Sequence, residues 1–234
     1  MAQKKLERFA AIKTFSNVLE YPVEMKGKWC GFFTNKNPII LELACGRGEY
    51  TVGMARLFPG RNFIGVDVKG NRMYIGAKKC LGENLTNAGF LRTQIEKISD
   101  YFAAGEIAEI WITFPDPQLR TSKAKKRLTH PRFLRLYQQI LAPGGFVHLK
   151  TDSPDLYLFT KRVAELYGLT IVEDSDNVYG EPGIKEELKI KTHYENLDIA
   201  QSKKIHYLKF ILPSTIENMD DQLQEILRDE EQLD

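Results

Sequence analysis

The tetrad Phe114-Pro115-Asp116-Pro117 sets a carboxylate at the end of an apolar run, and a dense series of cations follows it. Between Arg120 and Arg135 there are seven lysines or arginines and no aspartate or glutamate, a local field suited to phosphates. A run of charge is ordinarily a solvated face. Placed directly after Asp116, this one joins an acidic group to an anchor for a polyanion. Upstream, Leu41-Glu42-Leu43-Ala44-Cys45-Gly46-Arg47-Gly48 reads as a strand feeding a glycine turn. Glycine lets backbone approach a nucleotide-like cofactor at the carboxyl end of a first strand, and Gly46 and Gly48 suit that task. Together the two features point to small-molecule chemistry beside a nucleic acid, the signature of an RNA-modifying enzyme.

The cofactor class can be narrowed. A dinucleotide fingerprint G-x-G-x-x-G fails here, because Thr51 stands where the third glycine is required. S-adenosylmethionine carries no pyrophosphate, and its α-amino group and sulfonium need acidic or carbonyl partners. Glu42, inside an otherwise apolar strand, supplies such a partner directly or through the loop. Asp67 closes the second strand, where a carboxylate accepts from both ribose hydroxyls; a helix N-cap is its plainer role. Gln94 falls at the end of the third strand, where an amide can accept from adenine N6 and donate to N1, although a surface glutamine at a strand end is equally consistent.

These residues need a frame to hold them. From Pro38 onward strand and helix alternate: strands over 39–43, 62–67, 89–93, 108–114 and 146–151, and helices over 49–58, 71–84, 96–102, 131–141 and 155–167. A strand near 169–173 and another over 205–212 follow, with a polar, glycine-bearing stretch between them. Alternation of this kind predicts an α/β fold with a parallel sheet covered by helices on both faces. Residues 1–37, with a helix expected over 4–19, read as an arm before a domain over 38–213, and residues 214–234 as an acidic helix or tail.

Composition sets outer bounds. A chain of 234 residues with 43% hydrophobic side chains suits one α/β domain with extensions. No stretch approaches the roughly 20 apolar residues of a membrane helix, and the polar start does not resemble a secretory signal, so a cytoplasmic protein with no membrane association is expected. Cys30, Cys45 and Cys80 lack Cys-x-x-Cys or Cys/His spacing, which argues against disulfides and against a metal site. From Glu217 to Asp234 eight acids face one arginine, so the net charge of +2 conceals a basic body.

At this point the residues resemble one family, the bacterial tRNA (guanine-N7)-methyltransferases, a branch of the Rossmann-like S-adenosylmethionine-dependent enzymes. The resemblance rests on Glu42-x-Ala44-x-Gly46-x-Gly48, the Phe114–Pro117 tetrad with its basic tail through Lys126-Arg127-Leu128-Thr129-His130-Pro131, Lys150-Thr151-Asp152, and Thr192-His193-Tyr194-Glu195. It implies a mostly parallel seven-stranded sheet, S-adenosylmethionine surrounded by Glu42, Asp67, Gln94 and Asp116, and tRNA as partner. It further implies that Arg120, Asp152 and Thr192, His193, Tyr194 and Glu195 handle the target guanosine of the variable loop. Where the family usually has Trp-Pro-Lys after the tetrad, this chain has Gln118-Leu119-Arg120; Gln94 replaces an aspartate and Ala44 a frequent glycine.

Guanine N7 already carries a lone pair, so methyl transfer needs no base to remove a proton. Catalysis then rests on alignment and on stabilising charge as it moves to the purine, with Asp116 the residue expected to do this. Guanine N1–H and N2–H2 are donors that a carboxylate such as Asp152 or Glu195 can read. Without the family, Thr192 and Glu195 read equally well as a capping pair. His130 and His148 are expected to be structural. The other readings are a different S-adenosylmethionine-dependent RNA or protein methyltransferase, and a tRNA-binding protein that has lost turnover.

Overall fold

Strand and helix alternate as the hydrophobic pattern requires across residues 2–197 and 204–233, which the computed structural model describes. The chain runs through α1 (Ala2–Ile12), β1 (Val18–Glu20), α2 (Trp29–Phe33), β2 (Ile39–Leu43), α3 (Glu49–Leu57), β3 (Asn62–Asp67), α4 (Gly70–Gly82) and β4 (Ala88–Arg92). It continues through β5 (Ile107–Thr113), α5 (Pro131–Gln138), β6 (Leu141–Thr151), α6 (Pro154–Tyr167), β7 (Thr170–Ser175), β8 (His206–Ile211) and α7 (Asp220–Leu233). One sheet results, in the order β1-β4-β3-β2-β5-β6-β8-β7. Among the described strands only β8 is reversed, pairing antiparallel with β6 and β7.

Alternation along the strands sorts the core onto two faces. Ile39, Leu41 and Leu43 of β2 pack in one cluster with α5, α6 and α7 residues such as Phe133, Leu156 and Leu223. Ile40, Phe63 and Trp111 join the other, with Val52 and Met54 of α3 and Met73 and Ala77 of α4.

The seven expected strands are present, and an eighth, β1, comes from the N-terminal arm. The helix expected over 4–19 stops at Ile12. Tertiary pairing overrides the local pattern there: the Asn17 carbonyl accepts from the Phe90 amide at 2.8 Å and its side chain donates to the Ala77 carbonyl at 3.0 Å. Val18 and Leu19 are thereby set in register with Phe90 and Leu91. β6 also begins earlier than the expected 146, because Pro143-Gly144-Gly145 is absorbed where the β5–β6 register shifts, the kind of irregularity at which proline is tolerated in a strand. The expected helix over 96–102 is a 3-10 segment, Ile95–Asp100.

Two helix starts, those of α5 and α6, match their sequence signals. Ser153 accepts from the Leu156 amide at 3.2 Å, with Pro154 in the first turn; His130 Nδ1 accepts from the Arg132 amide at 3.1 Å, with Pro131 following. These are capping and proline placements that satisfy or dispense with orphan donors. His148 is buried and stacked on Trp111 with centroids 4.0 Å apart, so both histidines serve the fold. Among the described residues no helix is long and apolar enough to cross a membrane.

Candidate active site

Strands β4, β3, β2, β5 and β6 are neighbours in that order and all parallel, so their carboxyl ends form one rim. Asp67 is the last residue of β3, and Gln94, the glycine loop, the Asp116 tetrad and Asp152 come just after the ends of the others. Ligands of open α/β sheets bind outside such ends.

The glycine loop turns through positive φ at Ala44 (56°), Gly46 (55°) and Gly48 (71°). Gly48 cannot carry a side chain, since a Cβ there would lie 2.5 Å from the Phe90 ring. Asp67 holds the loop: its Oδ2 accepts from the Gly46 amide at 2.9 Å and its Oδ1 from the Lys69 amide at 2.8 Å. The N-cap of α4 is Lys69 rather than Asp67. Each carboxylate oxygen can still accept a further bond, which leaves the ribose role open to it.

Glu42 is buried, and both oxygens of its carboxylate are engaged by protein donors. Its Oε2 accepts from the Thr51 amide and hydroxyl at 2.7 and 2.5 Å, and its Oε1 from the Thr113 hydroxyl at 2.8 Å. These bonds tie β2 to the first turn of α3 and to β5. Burial, only partly offset by these bonds, raises its carboxyl to about 7 from 4.5. The folded state thus holds a proton that the unfolded chain releases near pH 4.5. By linkage this contribution, on the order of 3 kcal/mol, is fully present below that pH and is lost as pH climbs to about 7. Glu42→Gln is expected to flatten the pH dependence of stability across that window, measured by urea unfolding at pH 5 and pH 8; an unchanged slope would show that Glu42 does not titrate there.

The tetrad is held in strained backbone. Phe114, its first residue, and Gln118, which follows it, lie at φ 48° and 50°, and such residues persist where the surroundings over-determine them. The Phe114 amide donates to the Lys150 carbonyl at 2.8 Å, and Asp116 Oδ1 accepts from the Gln118 amide at 3.0 Å. Arg127, although part of the basic run, is buried: its guanidinium donates to the carbonyls of Pro117, Gln118 and Leu119 and lies 4.4 Å from the Phe159 ring centre. Asp116 itself is exposed.

The other cations divide. Arg132 pairs with Glu96, and Arg135 with Asp220 of α7 at 2.6 Å; Arg120, Lys123, Lys125 and Lys126 are exposed and have no ion-pair partner among the described residues. Gln94 and Arg120 are exposed, and among the described residues neither makes a side-chain bond to the other site residues. Asp152 is half-buried at the end of β6.

Thr192 Oγ1 accepts from the Glu195 amide at 3.1 Å, so the capping role is realised at the 3-10 turn Glu195–Leu197. The segment also reaches the cofactor loop: Tyr194 covers Gly46, whose Cβ would lie 3.6 Å from the ring, and Arg72 stands 5.6 Å over that ring. His193 packs edge-on to Tyr194. The Glu195 carboxylate bonds Lys150 at 3.1 Å and the Tyr179 hydroxyl. Lys150, fully buried, also donates to the carbonyls of Leu188 and Ile190 at 2.8 and 3.0 Å. No task for Lys150 is legible from its neighbours in sequence, although a lysine on a covered central strand is itself a signal, since such a cation needs partners.

These groups fit S-adenosylmethionine better than a dinucleotide. The Gly46 and Gly48 amides are taken by Asp67 and the Cys45 carbonyl, so neither is offered to a pyrophosphate, whereas a carboxylate, an amide side chain and loop carbonyls suit a nucleoside with an amino-acid arm.

The fold and rim define a Rossmann-like methyltransferase. The crystal structure of the 16S rRNA methyltransferase KamB superposes with a TM-score of 0.62 at 15% identity, covering 84% of this chain and 99% of that one. The 30S ribosomal A1408 methyltransferase of an uncultured bacterium does so with a TM-score of 0.58 at 18% identity over 80% and 93%. A family profile described as "Putative methyltransferase" matches residues 36–208. The tRNA (guanine-N(7)-)-methyltransferase of Porphyromonas gingivalis is 49% identical over 85% of this chain and 86% of its own, and that of Bacteroides fragilis 46% identical over 91% and 87%. The chain belongs to the tRNA (guanine-N7)-methyltransferase family.

Proposed function

We propose that this protein transfers the methyl group of S-adenosylmethionine to N7 of the variable-loop guanine of tRNA in the cytoplasm. One observation carries the reading. Asp116 is exposed just past the end of β5, which pairs with the β2 strand that leads into the glycine loop, and it stands ahead of the exposed cations Arg120, Lys123, Lys125 and Lys126.

S-adenosylmethionine supplies an electrophilic methyl group on a sulfonium. Asp67 would hold the ribose hydroxyls and Gln94 would meet the adenine edge, while Glu42 fixes the glycine loop on the other side of Asp67. Asp116 orients the purine and balances the positive charge that N7 acquires, with no proton to remove. Asp152 and the 192–195 segment hold the guanine after it is extruded from the folded tRNA, as enzymes acting on a stacked base must arrange. The exposed cations after the tetrad track phosphates.

The test is incubation with labelled S-adenosylmethionine and unmodified tRNA, followed by nucleoside mass spectrometry. 7-Methylguanosine is expected at the variable loop. A methyl group on another atom or substrate would replace this reading with a different methyltransferase, and tight tRNA binding without incorporation would mean lost turnover.

Replacing Lys123, Lys125 and Lys126 together by glutamine is expected to weaken tRNA binding about tenfold or more. The logarithmic salt dependence should become shallower by about 0.9 for each duplex phosphate that the variant no longer neutralises. Arg127 is left in place because its guanidinium is spent on the loop carbonyls. A salt slope equal to the wild type would make this segment ordinary surface.

A further inference from the structure

A second positive surface lies over α3 and α4. A groove of about 600 Å³ runs between these helices and the segment 186–191. Arg47, Lys79, Lys189 and Lys191 line it, against Glu49 and Glu186. Arg47, Lys79 and Lys191 have no carboxylate within ion-pair distance among the described residues; Lys189 meets Glu186 only in an exposed pair, at 2.5 Å with half its side chain accessible, and such pairs contribute little.

The walls are fixed. A Cβ on Gly53 would approach Ile190 to 2.9 Å, so the 186–191 segment is seated against α3, and a Cβ on Gly76 would approach the Arg47 carbonyl to 2.6 Å, so α4 is seated against the glycine loop. Arg47 lies within the glycine loop and Lys191 directly precedes Thr192, so the groove starts at the rim of the active site.

Its position relative to the basic segment after Asp116 follows from the core. Ala124 and Leu128 of that segment belong to the cluster on one face of the sheet, whereas Val52 and Ile190, which line the groove, belong to or pack against the cluster on the other. Cations therefore flank the strand ends from both faces.

We infer that the α3–α4 groove is a second binding surface for the phosphate backbone of the tRNA substrate, an inference that rests on the function proposed above. The substrate is gripped on both faces of the sheet, and the target base enters at the strand ends between. An extended polyanion suits this surface: Lys79 and Lys191 are exposed and spaced along an open channel, and long flexible ammonium groups neutralise successive phosphates without enclosing a small anion.

The test uses the full chain carrying Lys79→Gln, Lys189→Gln and Lys191→Gln, with an unmodified tRNA transcript as probe. A control carries Lys26→Gln, Lys28→Gln and Lys36→Gln, which makes the same change in net charge at positions outside the groove. The groove variant is expected to bind tRNA about tenfold more weakly. Its logarithmic salt slope should be shallower by about two to three. S-adenosylmethionine affinity and turnover at saturating tRNA should stay at the wild-type level, and the control should retain wild-type tRNA affinity. An unchanged slope, or an equal weakening in the control, overturns the role of the groove while wild-type methylation of tRNA continues. Absence of 7-methylguanosine with the wild type overturns the proposed function, and the inference falls with it.

Discussion

Asp116→Asn is expected to lower turnover by about a hundredfold or more while leaving tRNA affinity and folding close to the wild type. The amide keeps the size of the side chain and can keep the acceptor for the Gln118 amide, which lies 3.0 Å from Asp116 Oδ1. What it loses is negative charge beside a purine that becomes cationic as N7 takes the methyl group. Charge placed where charge develops is commonly a large contribution to rate, and removing one such group costs on the order of 10²–10³ in kcat. Because no proton needs to be abstracted, the defect should appear in kcat with no new ionisation in the pH profile. Single-turnover methyl transfer with saturating tRNA would measure it. Wild-type turnover in the variant would remove Asp116 from the mechanism.

The second large effect is expected at Lys150. Lys150→Met removes the ammonium that holds Glu195 and the carbonyls of Leu188 and Ile190, and it leaves the Glu195 carboxylate buried with Tyr179 as its remaining side-chain partner among the described residues. Breaking a buried pair from one side costs about 3–5 kcal/mol, which for a chain of this size corresponds to roughly 10 °C in melting temperature. The segment carrying Tyr194 over Gly46 loses its anchor at the same time, so kcat/KM for tRNA should fall more than S-adenosylmethionine affinity. Adding Glu195→Gln removes the orphaned charge. The double variant is therefore expected to regain much of the lost stability, and calorimetry of the single and double variants checks this. Additive losses would show that Lys150 and Glu195 act independently.

Some parts of the site could be read directly and others could not. Gly48 is legible because a turn at positive φ against a neighbouring strand admits no other residue. Asp67 is legible as a carboxylate at a strand end, but its bond to the Gly46 amide joins residues that are neighbours only once β2 and β3 pair. Arg127 illustrates the opposite case. In sequence it is one more cation in a basic run; in the fold it is a buried clamp on the carbonyls after Asp116. Nothing in local spacing separates it from Lys125 and Lys126, which stay exposed.

The N-terminal arm shows the same limit. Phe9, Ile12 and Phe15 carry a helical period, yet the helix ends at Ile12 and the chain adds a strand to the edge of the sheet. A local pattern competes there with backbone partners supplied by β4 and α4, far along the chain.

By itself the sequence determined the alternation of strands and helices, the glycine turn and the acidic tetrad with its cations, because periodicity, backbone freedom and charge density are properties of adjacent residues. Tertiary structure alone decided that Glu42 braces the loop, that Lys150 and Glu195 anchor the Tyr194 segment, and that cations flank the strand ends from both faces. Those roles depend on which side chains meet after the sheet closes, and on the desolvation that only packing imposes.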